Sequence, residues 1–471
     1  MSSKSVSNAP HAEQVLSTLS RDGTRIRMRP KLATGRFWNR RRIVAYSLIA
    51  LFVAMPYFEM GGKPLILLDL AHREFTFFGA TFLPTDSILL MFLGLTIAVG
   101  VLLLTAMFGR VWCGWACPQT VYMEFLYRPI ERLFEGTPAQ QLKIDRGKGW
   151  RHPRRLLKNV AFLFVSMFVA HVFLAYFVGI DTLVEWVQRS PADHPAAFMI
   201  MAGVTGLMFF DFAYFREQTC LIACPYGRLQ SVLLDKSSLI VGYDYQRGEP
   251  RGKLKKGKSA DAEERGDCID CKACVNVCPT GIDIRDGLQM ECITCTQCID
   301  ACDDIMDKIG KPRGLIRYSS EDELAGKGRK LLRPRVVIYP LILAVTLFSL
   351  VYLLGSKAEA EVKILRTTAP FTQFDDGRVS NQVLLKVTNK TESAKQYTIA
   401  LEGAPDAEFI APQNPFELAP LQSKTIAVII NSEPDKYHDG KRPVTLRVTD
   451  GADYDRAIEH ELLGPMNGSA K

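Results

Sequence analysis

The chain has 471 residues, is 48% hydrophobic and carries a formal charge of +8, from 58 Lys and Arg against 50 Asp and Glu. Its apolar residues gather into long runs, which excludes a single soluble core. The positive surplus lies in loops flanking those runs and in the linker "RGKLKKGK", a pattern of contact with anionic membrane lipid and not with nucleic acid.

Residues 1–40 are polar and basic without a sustained period and read as a flexible cytoplasmic tail. The region 41–236 holds apolar runs near 43–58, 88–108, 160–180 and 196–215, and 336–355 is a fifth. The run 88–108 contains no charge and is long enough for a hydrocarbon core of roughly 30 Å, so the pattern predicts a five-helix α transmembrane bundle. The first run is not a cleavable signal, because it starts at residue 43 and no small-residue cleavage pattern follows. Between the first two runs, 59–87 reads as a short strand pair or a re-entrant turn. Arg40, Arg41 and Arg42 precede the first run, and the loop 109–159 holds ten Lys or Arg, against two after the first run and one after the third. By the positive-inside rule the N-terminus, 109–159 and 217–335 are cytoplasmic, and everything after 355 is outside.

The runs 88–108 and 196–215 cross in the same direction and end in Phe108 and Phe215, each five residues before a C-x3-C-P phrase: Cys113 and Cys117 in "WCGWACPQ", Cys220 and Cys224 in "TCLIACPYG". This is a parallel duplicated unit. Residues four apart share a helix face, so each pair presents two sulfurs together. A proline after the second cysteine predicts a helix break and restart there, and a helix start lowers thiol pKa. Buried packing cysteines are the plain reading; a four-sulfur copper(I) site, a further iron–sulfur centre and redox-active dithiols are the chemical ones. The sequence leaves these open. His171 lies within the third run, but no other histidine falls in a run to complete a bis-histidine haem. Asp211 and Arg216 read as a pair anchoring the inner end of the fourth run. "NKT" and "NGS" match the glycosylation acceptor pattern and read as chance.

The segment 237–335 contains "CIDCKACVNVCP" and "CITCTQCIDACD". The spacing C-x2-C-x2-C-x3-C, twice, is that of two-cluster ferredoxins, in which the fourth cysteine of each run ligates the other cluster. It assigns Cys268, Cys271, Cys274 and Cys302 to one [4Fe–4S] centre and Cys292, Cys295, Cys298 and Cys278 to the second, in a small α+β two-cluster (8Fe) ferredoxin domain. Zinc ligands come as separated C-x2-C pairs, and cytosolic thiols are kept reduced, so zinc and disulfides fit less well. Asp303 stands where a second proline would follow the last cysteine. Residues 356–471 hold short alternating runs such as "NQVLLKVTNK" and "PVTLRVTD" between turn residues, predicting a C-terminal all-β immunoglobulin-like sandwich.

The five runs, the duplicated C-x3-C-P, the ferredoxin insert, "CDDIMDKIGKPRGLIRYSS" after the last ligand and the outer sandwich together resemble the CcoG/FixG/RdxA family, accessory proteins of cbb3-type cytochrome c oxidase. The resemblance covers nearly the whole chain from about Leu32. It implies a multi-pass iron–sulfur protein of the bacterial inner membrane that reduces copper(II) to copper(I) for the oxidase, with oxidase assembly factors or copper chaperones as partners. It implies cluster ligation by the eight ferredoxin cysteines and copper handling or redox catalysis at Cys113, Cys117, Cys220 and Cys224. It names no electron donor and is compatible with a homodimer. The competing expectations are a quinol-linked electron-transfer subunit of a respiratory reductase and a non-catalytic scaffold for oxidase assembly.

Overall fold

The computed structural model describes residues 17–18, 26–71, 73–83, 86–147, 149–253, 265–328, 333–356, 358–365, 370–391 and 393–465. Most of the expected tail, the centre of the basic linker and the "NGS" sequence lie outside them. Helix α1 (Arg36–Ala54) begins where the carboxylate of Asp300 accepts the backbone N–H of Phe37 at 3.1 Å and of Trp38 at 2.7 Å. That carboxylate caps the helix start from another part of the chain, as a local cap would. Just upstream, Lys31 N donates to Asn276 O at 2.9 Å and Ala33 N to the Gln297 side chain at 3.2 Å. The last part of the expected flexible tail is therefore fixed, because its backbone donors find acceptors in the cysteine module.

Among the described residues, four helices are long and apolar enough to cross a membrane, and α1 is not one of them. Arg36, Arg40, Arg41 and Arg42 occupy its first two turns, and the 3-10 turn Met55–Tyr57, with Pro56, ends its regular path. Helix α1 nevertheless starts against the cysteine module and reaches Tyr176, near the end of the helix Pro153–Val178, whose hydroxyl donates to Phe52 O at 2.7 Å, so its arginines lie at the module end and its apolar remainder lies alongside a span. Two small antiparallel sheets follow: the hairpin Glu59–Met60 with Lys63–Pro64, and β1 (Ile66–Asp69), β2 (Glu74–Phe77) and β3 (Ala80–Phe82) in that order.

The four spans are α2 (Ser87–Phe108), α3 (Pro153–Val178), α4 (Pro195–Phe215, whose last turn is π-wound) and, further on, a span starting at Pro334. Helices α3 and α4 pack together and meet Tyr127, whose ring stacks on Phe212 at 4.1 Å and whose hydroxyl bonds Ser166 at 2.8 Å. The cysteine module pairs β4 (Ile240–Tyr243) antiparallel with β5 (Ile316–Ser319) under helix α5 (Gln297–Lys308). Buried Ile299, Met306, Leu315 and Ile316 form its core around the cysteines. The last span is α6 (Pro334–Gly355).

Met1–Leu350 and Val351–Lys471 are separate compact units, so the cysteine module shares one body with the membrane helices. The second unit is a two-sheet sandwich. One sheet orders Glu408–Ile410, Ser423–Ser432, Val379–Asn389 and Ala360–Leu365, with Thr372–Gln373 also on Val379–Asn389; the other orders Phe416–Leu418, Lys395–Glu402, Lys441–Thr449 and Asp455–Leu463. Alternate residues such as Val383, Leu385 and Val387 point into the core against Ile426, Val428 and Leu446. Buried Asn381 keys the sheets, donating to Tyr437 Oη at 3.1 Å and Leu463 O at 3.0 Å.

Candidate metal centre

Each C-x2-C-x2-C loop is wound by two non-glycine residues at positive φ. Asp270 (50°) and Lys272 (55°) flank Cys271, and Thr294 (56°) and Thr296 (61°) flank Cys295 at the equivalent places. Such conformations are costly and persist where the surroundings over-determine them. Here they curl each loop around a cavity. One is lined by Cys268, Cys271, Cys274 and Cys302, the other by Cys278, Cys292, Cys295 and Cys298, with Cys274 touching both. The empty volumes are about 340 and 350 Å³. The fourth cysteine of each run therefore reaches the other loop's cavity, as the ferredoxin spacing predicts. Among the described residues, no three Cys, His, Asp or Glu side chains converge closely enough for a single metal ion. Four sulfurs set around each cavity fit a cubane. Burial pushes the Cys274 and Cys302 thiols up to about 12. Ligation there must expel protons.

The two C-x3-C-P phrases are built alike. The span before each ends at a positive-φ residue, Gly109 (φ 60°, ψ −132°) and Arg216 (φ 53°, ψ −117°). Cys113 follows in the turn Val111–Trp115 and Cys220 in the π turn Thr219–Ala223. Cys117 and Cys224 are extended N-cap residues, and Pro118 and Pro225 start the next helices. The predicted break and restart is present in both. Cys113 Sγ donates to Gln230 Oε1 at 3.2 Å, and the fully buried Gln230 returns its amide to Gly109 O at 3.2 Å. Cys113, Cys117, Cys220 and Cys224 all lie within electrostatic range of one another. At Cys113, Cys117 and Cys220 the expected lowering of the thiol pKa does not occur. Burial pushes Cys113 up to about 12 and raises Cys117 and Cys220, outweighing the helix start.

The thiol turn and the cluster loop touch. A Cβ on Gly114 would lie 2.5 Å from Thr294 O and 2.7 Å from Ile293 O. Arg110 Nη1 donates to Cys292 O at 3.0 Å and to Met290 O, Arg41 Nε donates to Gly114 O at 2.9 Å, and Trp115 Nε1 to Tyr318 Oη at 2.9 Å. A smaller cavity lined by Cys220, Gln119, Arg216, Pro279, Thr280 and Ile293 lies between the second phrase and the loop carrying Cys278. The site held by Cys278, Cys292, Cys295 and Cys298 is thus proximal to the membrane thiols. The other site is distal, and its Cys271 is exposed.

Sequence reasoning missed the buried ion network beneath this junction. Arg216 makes two bonds to Glu131, at 2.9 and 2.8 Å, and Arg27 adds a third at 2.7 Å. Arg128 joins Glu124 to Glu217. Burial would raise the Glu131 carboxyl, but Arg216 and Arg27 hold it well below the ordinary carboxylate range. The expected Asp211–Arg216 pair is not formed. Positive φ at Arg216 turns its side chain to Glu131, and Asp211 accepts from the Thr219 hydroxyl instead. His171, read from sequence as lacking a partner, shares a cavity with His194 and Trp186.

The sequence matches the family described as "4Fe-4S binding domain" over residues 90–136, "4Fe-4S dicluster domain" over 215–321 and "IG-like fold at C-terminal of FixG" over 350–465. It is 35% identical to protein RdxB of Cereibacter sphaeroides, covering 80% of this chain and 82% of that one. Protein RdxA of the same organism is 36% identical, over 79% and 80%. The nitrogen fixation protein FixG of Rhizobium meliloti is 32% identical, over 88% and 86%.

Proposed function

The chain belongs to the FixG/RdxA family of membrane iron–sulfur electron-transfer proteins, and we propose that it is a cupric reductase delivering single electrons from its ferredoxin module to copper at the C-x3-C-P thiols. A bound [4Fe–4S] centre exchanges one electron at a time, which matches the conversion of copper(II), as substrate, to copper(I). Cys268, Cys271, Cys274 and Cys302 would hold the distal centre, and Cys278, Cys292, Cys295 and Cys298 the proximal one. Cys113, Cys117, Cys220 and Cys224 offer the soft sulfur that favours copper(I) over copper(II). Their burial limits water at the site, and each must lose its proton on binding metal. The ferredoxin module faces the cytoplasm and the sandwich the periplasm, as the Lys and Arg distribution supports. The copper(I) produced would serve cbb3-type oxidase maturation.

One observation carries the reading: Gly114 lets the first thiol turn lie directly on the carbonyls of the proximal cluster loop. The test uses anaerobically purified protein with reduced clusters, mixed with copper(II) and a copper(I) chelator. Cluster reoxidation should match copper(I) formation one for one, and Cys113→Ser with Cys117→Ser should weaken turnover while leaving cluster absorbance intact. Reoxidation by quinone alone would instead make this a quinol-linked subunit, and no turnover with intact oxidase binding would make it a scaffold.

A further inference from the structure

Arg41 is wholly buried, and among the described residues its only hydrogen bond is from Nε to Gly114 O, with Nη1 and Nη2 buried and unpartnered. Among the described residues it joins no ion pair. An isolated buried cation is strongly disfavoured unless an anion faces it. Its guanidinium lies over the Phe125 ring, 5.4 Å from the centroid, and within electrostatic range of the proximal site, which is the nearest source of anionic charge for it. Arg41 acts electrostatically on Cys295 and on Tyr318, which also senses Cys292. Arg110, also buried and without an ion pair among the described residues, stands between Cys292 and Cys113, bonds the Cys292 carbonyl and leaves Nε unpartnered. The nearby carboxylates do not cancel these charges. Glu291 is half-exposed, and among the described residues neither it nor Asp300, which accepts from the start of α1, forms an ion pair with Arg41 or Arg110.

The distal site is treated differently. Its arginine, Arg285, is neutralised by Asp283 and Asp270, both at 2.6 Å, and Asp303 lies beside Cys302. Four thiolates around an iron–sulfur core leave a net negative charge that grows on reduction. A fixed, desolvated cation therefore stabilises the reduced form more than the oxidised form and raises the potential.

We infer that Arg41 and Arg110 are the buried counter-charges of the proximal cluster and make it the more easily reduced of the two, so that electrons enter at the exposed distal site and collect beside the membrane thiols. This rests on the eight cysteines holding two clusters but not on copper being the acceptor. Each transfer is a one-electron exchange in which the distal centre is oxidised as the proximal centre is reduced, with no bond made and no proton required.

The test is a redox titration of the purified full-length protein, followed by electron paramagnetic resonance, with iron counted in every sample. The wild type should show two resolvable midpoint potentials. Arg41→Gln should lower the higher one and leave the lower one in place, and Arg110→Gln should do the same. Arg41→Lys keeps the charge and should retain most of the potential even though its bond to Gly114 changes, which a merely structural role would not predict. Should Arg41→Gln lose iron, Arg110→Gln and Arg41→Lys still decide the question. Full iron with both potentials unmoved in the variants, or a shift confined to the lower-potential centre, overturns the inference and leaves the cluster assignment standing. Failure of copper reduction with the shifts intact would overturn the copper reading alone.

Discussion

Glycine at position 114 is dictated by two backbone oxygens that cannot swing aside, those of Ile293 and Thr294. Gly114→Ala is expected to push the thiol turn off the cluster loop. Iron content should stay full while copper-dependent reoxidation slows on the order of tenfold or more, the scale at which ångström misplacements act; stopped-flow absorbance reads both. Glu131 supplies most of the charge facing buried Arg216, so Glu131→Ala should cost about 3–5 kcal/mol, seen as a lower Tm in detergent. Pairing Glu131→Leu with Arg216→Met should recover part of that loss, because it removes the fully buried Arg216 charge, leaves Glu217 on Arg128, and strands only Arg27, which is partly exposed. The cluster cysteines are legible in the sequence because their spacing is a local pattern. Arg41 reads only as a charge that orients a membrane span. Its second role depends on Gly114, 73 positions away, and the Glu131 partners lie 85 and 104 positions away.

At the scale of elements, the four spans are legible because long apolar runs, interrupted only by His171 and Asp211, have little alternative to a membrane. Helix α1 falls short of them in composition because Arg40, Arg41 and Arg42 open it, yet those charges sit at its cysteine-module end, where Arg41 bonds Gly114 O, ahead of its apolar run. The start of α1 is set by Asp300, which no local window reveals. Asp300→Ala should remove the acceptor of two N–H groups and cost about 0.5–2 kcal/mol, as loss of a helix cap does. Hydrogen exchange at Phe37 and Trp38 should quicken first; if those amides stay protected, the cap is not what holds the helix start. The paired breaks at Cys117 and Cys224 follow from Pro118 and Pro225. The unusual backbone at Arg216 has no sequence signal of its own, apart from its correspondence to Gly109 in the repeat.

At the scale of the whole molecule, two units with separate cores carry separate stabilities. The sandwich has its own polar anchor in Asp450. Burial would raise its carboxyl, but Lys395 at 2.8 Å and the N–H groups of Ala452 and Tyr454 hold it at about 2, below an ordinary 3.8. A depressed carboxyl contributes stability above its unfolded pKa and loses it as pH falls through the folded one. Urea unfolding of residues 356–471 should therefore be insensitive to this group above about pH 4 and weaken toward pH 2, and Asp450→Asn should flatten that slope. The alternating pattern made this unit legible, whereas the union of the cysteine module with the membrane helices was not, because the contacts that weld them are backbone carbonyls and buried arginines.

Asp300 also imposes a schedule on the ribosome's product. The first helix leaves the exit tunnel some 260 residues before the carboxylate that finishes it, counting from Phe37 to Asp300, so its leading amides stay open until the iron-binding loops have been made and closed.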